Sequence, residues 1–192
     1  MTNVNAAFGL RPTRSLGRSN TQINEYAHTT ESTAAFIGDS VVTSGTSTSA
    51  ITGLPDGTPY VTVSGTTTTT AIRGAIVGVR PTLTNLTLQY APASTAIGLL
   101  ICDDPNQLFE IQSDGTVVVG DVSADVSIVT GSGSTVTGLS GYQAHESDVA
   151  GGTYVLHIVR VKPTVGNALG ANAILECRVN LHELAGTGRA GT

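Results

Sequence analysis

Apolar and polar residues alternate with a period of two along much of this chain, the pattern of strands with one face in a core and one in water. In Ile174 to His182, Leu175, Cys177, Val179 and Leu181 fall on one face, with Glu176, Arg178, Asn180 and His182 on the other. In Tyr154 to Lys162, Val155, His157, Val159 and Val161 share a face, opposite Tyr154, Leu156, Ile158, Arg160 and Lys162. That alternation makes His157 a core or interface histidine. The ten residues between these runs, Pro163 to Asn172, hold one proline and two glycines, so an antiparallel pair with a long loop is expected. Ile97 to Cys102 is continuously apolar, as in a strand buried on both sides, and Asp103-Asp104-Pro105-Asn106 turns the chain into a further strand, Gln107 to Gln112. Shorter runs at Ala35 to Val42, Tyr60 to Val63, Ile72 to Arg80, Leu83 to Tyr90 and Val126 to Val129 read as strands too. No segment sustains a helical stripe, although Tyr142 to Ala150 has room for one or two turns.

Many short strands separated by Gly and Pro turns predict one all-β domain over residues 21–184, an antiparallel β-sandwich or barrel of jelly-roll-like kind, with a β-tulip-like barrel as the alternative. Residues 43–71 are Thr/Ser/Gly-rich and read as an inserted hairpin or flap, or else as a flexible low-complexity loop. Residues 1–20 show neither periodicity and are broken by Gly9, Pro12 and Gly17, which predicts an extended arm. The tail, 185–192, is too small and glycine-rich to pack. Its GxGxxG pattern lacks the strand and helix that a dinucleotide fingerprint requires.

Charge sharpens this division. Only 12% of the 192 residues are charged, and the net charge is −5. Residues 1–20 carry Arg11, Arg14 and Arg18 and no acid, so the remainder stands at −8. A body of that sign repels phosphate backbones, and no nucleic-acid partner is expected. Mean hydropathy is +0.15, yet no run approaches the ~20 apolar residues of a membrane helix, and no membrane partner is expected. The start, MTNVNAAFGLRP, has no signal-peptide pattern, so folding where the chain is made, in a cytoplasm, is the expectation. Cys102 and Cys177 lie in apolar runs and are expected as buried thiols.

Candidate chemistry is sparse. Asp103, Asp104 and Asn106 offer oxygens for Ca²⁺ without EF-hand spacing, and a side-chain-capped turn explains them. His28, His145, His157 and His182 lack ligand spacing, and His145-Glu146-Ser147-Asp148 groups acid–base types without the geometry of a triad. No enzyme activity, metal or cofactor is expected. The constellation that stands out is Arg11, Arg14 and Arg18 on the arm, flanked by Phe8 and Leu10: guanidinium groups suited to carboxylates of a partner, with apolar anchors beside them.

Several blocks resemble a family. Asn3-Val4-Asn5-Ala6-Ala7-Phe8-Gly9-Leu10-Arg11-Pro12 is similar to the N-termini of capsid decoration (cement) proteins of tailed bacteriophages. Asp103 to Gln112, Tyr154-Val155-Leu156 and Val179-Asn180-Leu181-His182-Glu183 resemble later segments of that family. The resemblance implies a non-enzymatic β-protein of the virion. It would bind the outside of an icosahedral head as a homodimer or homotrimer, clamp neighbouring major capsid proteins and use the arm as a strap. Such an arm predicts that removing residues 1–20 leaves a folded body that no longer coats particles. The alternative from another class is a virion-surface adhesion or carbohydrate-binding module, against which stand 4% aromatic residues and no Trp.

Overall fold

The computed structural model describes residues 3–17, 19–28, 33–48, 51, 53–66, 69–82, 85–149 and 152–185. It is all-β, with antiparallel sheets and a closed barrel, as the alternation predicts. The strands are β1 (Arg11–Ser15), β2 (Ile23–His28), β3 (Ser40–Ser47), β4 (Pro59–Val63), β5 (Gly74–Val79), β6 (Ile97–Cys102), β7 (Gln107–Gln112), β8 (Thr116–Val117), β9 (Asp125–Val129), β10 (Gln143–His145), β11 (Leu156–Val161), β12 (Gly170–Ala171) and β13 (Ile174–Val179). Five of them close a barrel in the order β2-β4-β3-β5-β6, with β2 pairing β4 in parallel and β6 antiparallel. Six form an antiparallel sheet in the order β1-β7-β13-β11-β9-β10. β12, in the long connection from β11 to β13, pairs with β8 as a small ribbon.

Each unit has its own core. Tyr26, Val41, Val61, Ile76, Leu99 and Ile101 fill the barrel. Phe109, Ile111, Val126, Ile128, Leu156, Ile158, Leu175 and Cys177 line the inner face of the sheet. The two meet where Ile72, Ala75 and Cys102 of the barrel side join the sheet core, and Val63 packs against both. Ile72 bridges His182 in parallel just beyond β13 and completes the seam. The 43–71 segment contributes β4 and much of β3 to the barrel: Val61 is fully buried there. Its strands β3 and β4 pair antiparallel and form part of the barrel wall, where an exposed insertion between core strands was expected.

Residues 1–20, read as an arm, are inlaid in their own domain over their described part. β1 is the edge strand of the six-stranded sheet, antiparallel to β7. Upstream, Asn3 donates to the carbonyls of Ala168 and Ala171, and the Gln112 amide bonds both Val4 and Ala6. Leu10 is 1% exposed in the sheet core. The crossing at Gly9 explains why glycine stands there. Its φ is +72°, and a Cβ would collide with the Gly38 carbonyl oxygen, so a side chain meets backbone on one side and strain on the other.

Two local expectations change. Leu83 to Tyr90 alternates but forms no strand among its described residues, and Leu86 is 74% exposed. The Asn85 side chain accepts from the Thr87 N–H and hydroxyl, and such local bonds compete with a strand ladder. Tyr142 to Ala150, expected as one or two helical turns, gives β10 and a single 3-10 turn, Glu146–Asp148.

Candidate interaction surface

β7 and β13 pair in continuous register from Ile174↔Gln112 to Arg178↔Leu108. Phe109, Ile111, Leu175 and Cys177 point into the core, so the intervening Glu110 and Glu176 point outward, directly opposite each other. Like charges in that position repel. Both carboxylates are nevertheless almost covered, at 4% and 5% side-chain exposure. Four cations cover them. Arg11 and Lys162 pair with Glu110. Arg14 and Arg160 pair with Glu176, Arg14 at 3.2 Å. The pattern is diagonal bracing: Arg14 on β1 reaches over β7 to β13, and Lys162 just past β11 reaches over β13 to β7.

Two β-bulges make this possible. In a regular strand, residues three apart face opposite ways. In β1 the register slips between Pro12 and Arg14, so Arg11 opposes Glu110, Arg14 opposes Leu108, and both arginines face outward. In β11 the register slips between Ile158 and Arg160, so His157 opposes Arg178 and Arg160 opposes Glu176 on the same outer face. A bulge adds one residue and re-aims the side chains beyond it. Of the two readings of His157, core or interface, the structure excludes the core. Leu156 and Ile158 are the buried residues, and His157 is an outer-face residue whose Nδ1 lies 2.8 Å from Asp125.

The electrostatics follow from this geometry. Burial pushes the Glu176 carboxyl upward, and the hydrogen bonds and charges of Arg160 and Arg14 outweigh it, holding the group below the usual carboxylate range. The cations stay wet: Arg11, Arg14 and Arg160 are 58%, 54% and 47% exposed. Each arginine bonds its glutamate through Nε. Arg178 lies on the same outer face and makes no hydrogen bond or ion pair to the described residues. The face therefore carries five cations against three carboxylates, Glu110, Glu176 and the Asp125 that holds His157, on a chain of net charge −5. A cleft of about 220 Å³ opens among Thr13, Arg14, Arg160, Lys162 and Pro163 with Glu176 as its floor.

Of the sequence candidates, Arg11 and Arg14 belong to this surface. Arg18 lies outside the described residues. Phe8 is half-buried beneath the Arg11 guanidinium, 4.4 Å from ring centre to Cζ. Leu10, expected as an anchor for a partner, anchors the chain's own core instead. Both line an apolar groove of about 280 Å³ that includes Ile37, Val77 and Leu139. Sequence reasoning missed Glu110 and Glu176, and with them the grouping of Arg160, Lys162 and Arg178. The available signal was a lone acid inside each of two apolar strands.

The remaining candidates are engaged elsewhere. Asp103 accepts from Tyr26 and Asn24, and Asp104 from Ser15 and the Asn106 N–H, which is the capped turn. The Asp148 carboxylate holds both the Ser127 hydroxyl, at 2.5 Å, and His145 Nδ1, at 3.1 Å. The hydroxyl thus faces a carboxylate and not the imidazole, so this group has no serine-to-histidine proton path. Burial pushes the Cys102 thiol up to about 12 and the Cys177 thiol higher still, which suppresses the nucleophilic thiolate. His182, expected on a wet face, is buried; its Nδ1 accepts from the Leu184 N–H, and desolvation lowers its pKa. Among the described residues no helix is long and apolar enough to cross a membrane. No family model matches the chain, and neither a curated protein nor a solved structure matches it.

Proposed function

We propose that this chain is a structural virion protein that fastens to the outer surface of an icosahedral phage head. In this reading it stabilises the shell by clamping neighbouring major capsid proteins, as a homodimer or homotrimer. The observation that carries the reading is the basic outer face of the six-stranded sheet. Two bulges, an inlaid N-terminal strand and two covered carboxylates hold four long cationic side chains over the sheet, with Arg178 beside them. Ion clusters of this kind add little stability compared with apolar residues, so their presence points to recognition. The resemblance of Asn3 to Pro12 and Asp103 to Gln112 to decoration proteins supports the same conclusion. The first block leads into β1 and the second contains β7, the strand that β1 pairs with. A protein that prefers the assembled shell stabilises it by that difference in affinity. Adhesion or carbohydrate binding has weaker support: the described aromatic pair, Phe36 and Tyr90, stacks on itself at 5.1 Å.

Co-sedimentation with purified, expanded heads of a tailed phage tests the proposal. Saturable binding with a raised melting temperature of the heads is the expected result. A chain that stays in the supernatant at all ratios and leaves the heads' melting unchanged overturns it.

A further inference from the structure

We infer that the basic face of the six-stranded sheet is a docking surface for carboxylate side chains of an acidic protein segment, received between β1 and β11. This inference deepens the proposed function, and rests on it only in placing that segment on a shell protein.

The geometry is that of a prepared receptor. Glu110 and Glu176 engage Arg11, Arg14 and Arg160 through Nε, the inner edge of each guanidinium. Each guanidinium is thereby tethered at one nitrogen while about half of the side chain stays exposed, which leaves donors for a further carboxylate. Pre-ordering of long side chains removes part of the entropy that binding would otherwise lose. The cleft among Thr13, Arg14, Arg160, Lys162 and Pro163 has room for a carboxylate side chain directly above Glu176. Arg178 supplies a further cation with no bond to the described residues. Charge complementarity selects an acidic occupant. The rest of the chain is strongly negative, which disfavours an extended polyanion such as nucleic acid and favours discrete carboxylates confined to the face.

The test is an NMR titration of the ¹⁵N-labelled full chain with a short polyglutamate peptide and, separately, with a single-stranded oligonucleotide of similar length. The peptide is expected to shift the Nε–Hε signals of Arg14 and Arg160 and the amides of β13, and to weaken as salt rises. Arg178→Glu is expected to reduce peptide affinity about tenfold. This side chain makes no hydrogen bond or ion pair to the described residues, and Arg178→Gln, which adds no negative charge beside Glu176 and keeps most of the stem opposite Leu108, provides a milder variant with a smaller loss. Three results overturn the inference: no shifts on this face, equal peptide affinity in both Arg178 variants, or tighter binding of the oligonucleotide. The titration contains no shell. Peptide binding without head binding therefore rejects only the phage reading, and head binding indifferent to Arg178→Glu with a silent titration rejects only this inference.

Discussion

Asp39 shows how one residue sets a pH dependence. It is 2% exposed, and burial pushes its carboxyl up to about 6 despite hydrogen bonds from Ser140 and the Phe36 N–H. A carboxyl whose folded pKa is raised stabilises the fold fully at pH below its unfolded value near 4, and that contribution is lost as pH rises through 6. The loss amounts to at most roughly 3 kcal/mol. Asp39→Asn keeps the acceptor for Phe36 and removes the titration, so the variant is expected to gain stability relative to the parent between pH 4 and 8. Urea unfolding at the two ends of that range measures this gain. A parent–variant difference that does not change with pH contradicts it. His182 acts in the opposite sense: its lowered pKa favours the neutral ring, a contribution present above about 6.5 and lost as pH falls. The parent–variant comparison cancels it. Neither residue is legible in the sequence as a buried titrating group, because Asp39 lies in a turn pattern and His182 in a wet-face pattern.

At the scale of elements, β1 and β11 depart from regular pairing, and both departures serve the same face. The bulge in β1 is one extra residue, Thr13, whose hydroxyl bonds the Leu108 carbonyl and lies near Glu176. Removing one residue from a paired strand normally turns everything beyond it to the wrong face. Deletion of Thr13 is the reverse case. It brings Arg11 and Arg14 to the same-face spacing of two, so both ion pairs persist, and the expected loss of stability is only about 1 kcal/mol from the missing hydrogen bond. Insertion of an alanine after Thr13 turns Arg14 inward and is expected to cost several times more. Chemical denaturation of the two variants measures the contrast; equal destabilisation would show that the bulge has no part in aiming Arg14. Strict alternation puts Arg160 and Lys162 on the face of Leu156 and Ile158, because a sequence pattern carries no mark of a bulge.

For the whole molecule, the N-terminal segment ties the sheet to the barrel. Leu10 enters the sheet core while Gly9 crosses Gly38 next to the barrel, and the Leu10 N–H bonds the Gly38 carbonyl at 2.8 Å. The chain without residues 1–17 is therefore expected to lose more than an arm. It gives up a buried leucine, an edge strand and two of the four cations over Glu110 and Glu176, a loss of at least about 4 kcal/mol. Thermal unfolding followed by circular dichroism measures it, with a much lower midpoint or no cooperative transition as the expected result. A truncated chain that melts like the parent restores the free-arm picture. The low overall charge and the basic start were legible in the sequence, but the gathering of cations was not: five of the nine Lys and Arg residues share one face of one sheet.

The amino-acid order alone determined that this is an all-β protein and where many of its strands lie. Alternation, apolar runs and turn residues act over a few neighbours, and Ile97–Cys102, Gln107–Gln112 and Ile174–Val179 came from them. It also placed cations near the N-terminus with apolar residues beside them. Only the tertiary structure decided what those residues meet. Strand partners and bulges are properties of two stretches of backbone side by side, often a hundred residues apart, as in the pairing of Arg11 with Glu110. A one-residue slip in that pairing exchanges inside for outside, so the basic face exists only once the register is set.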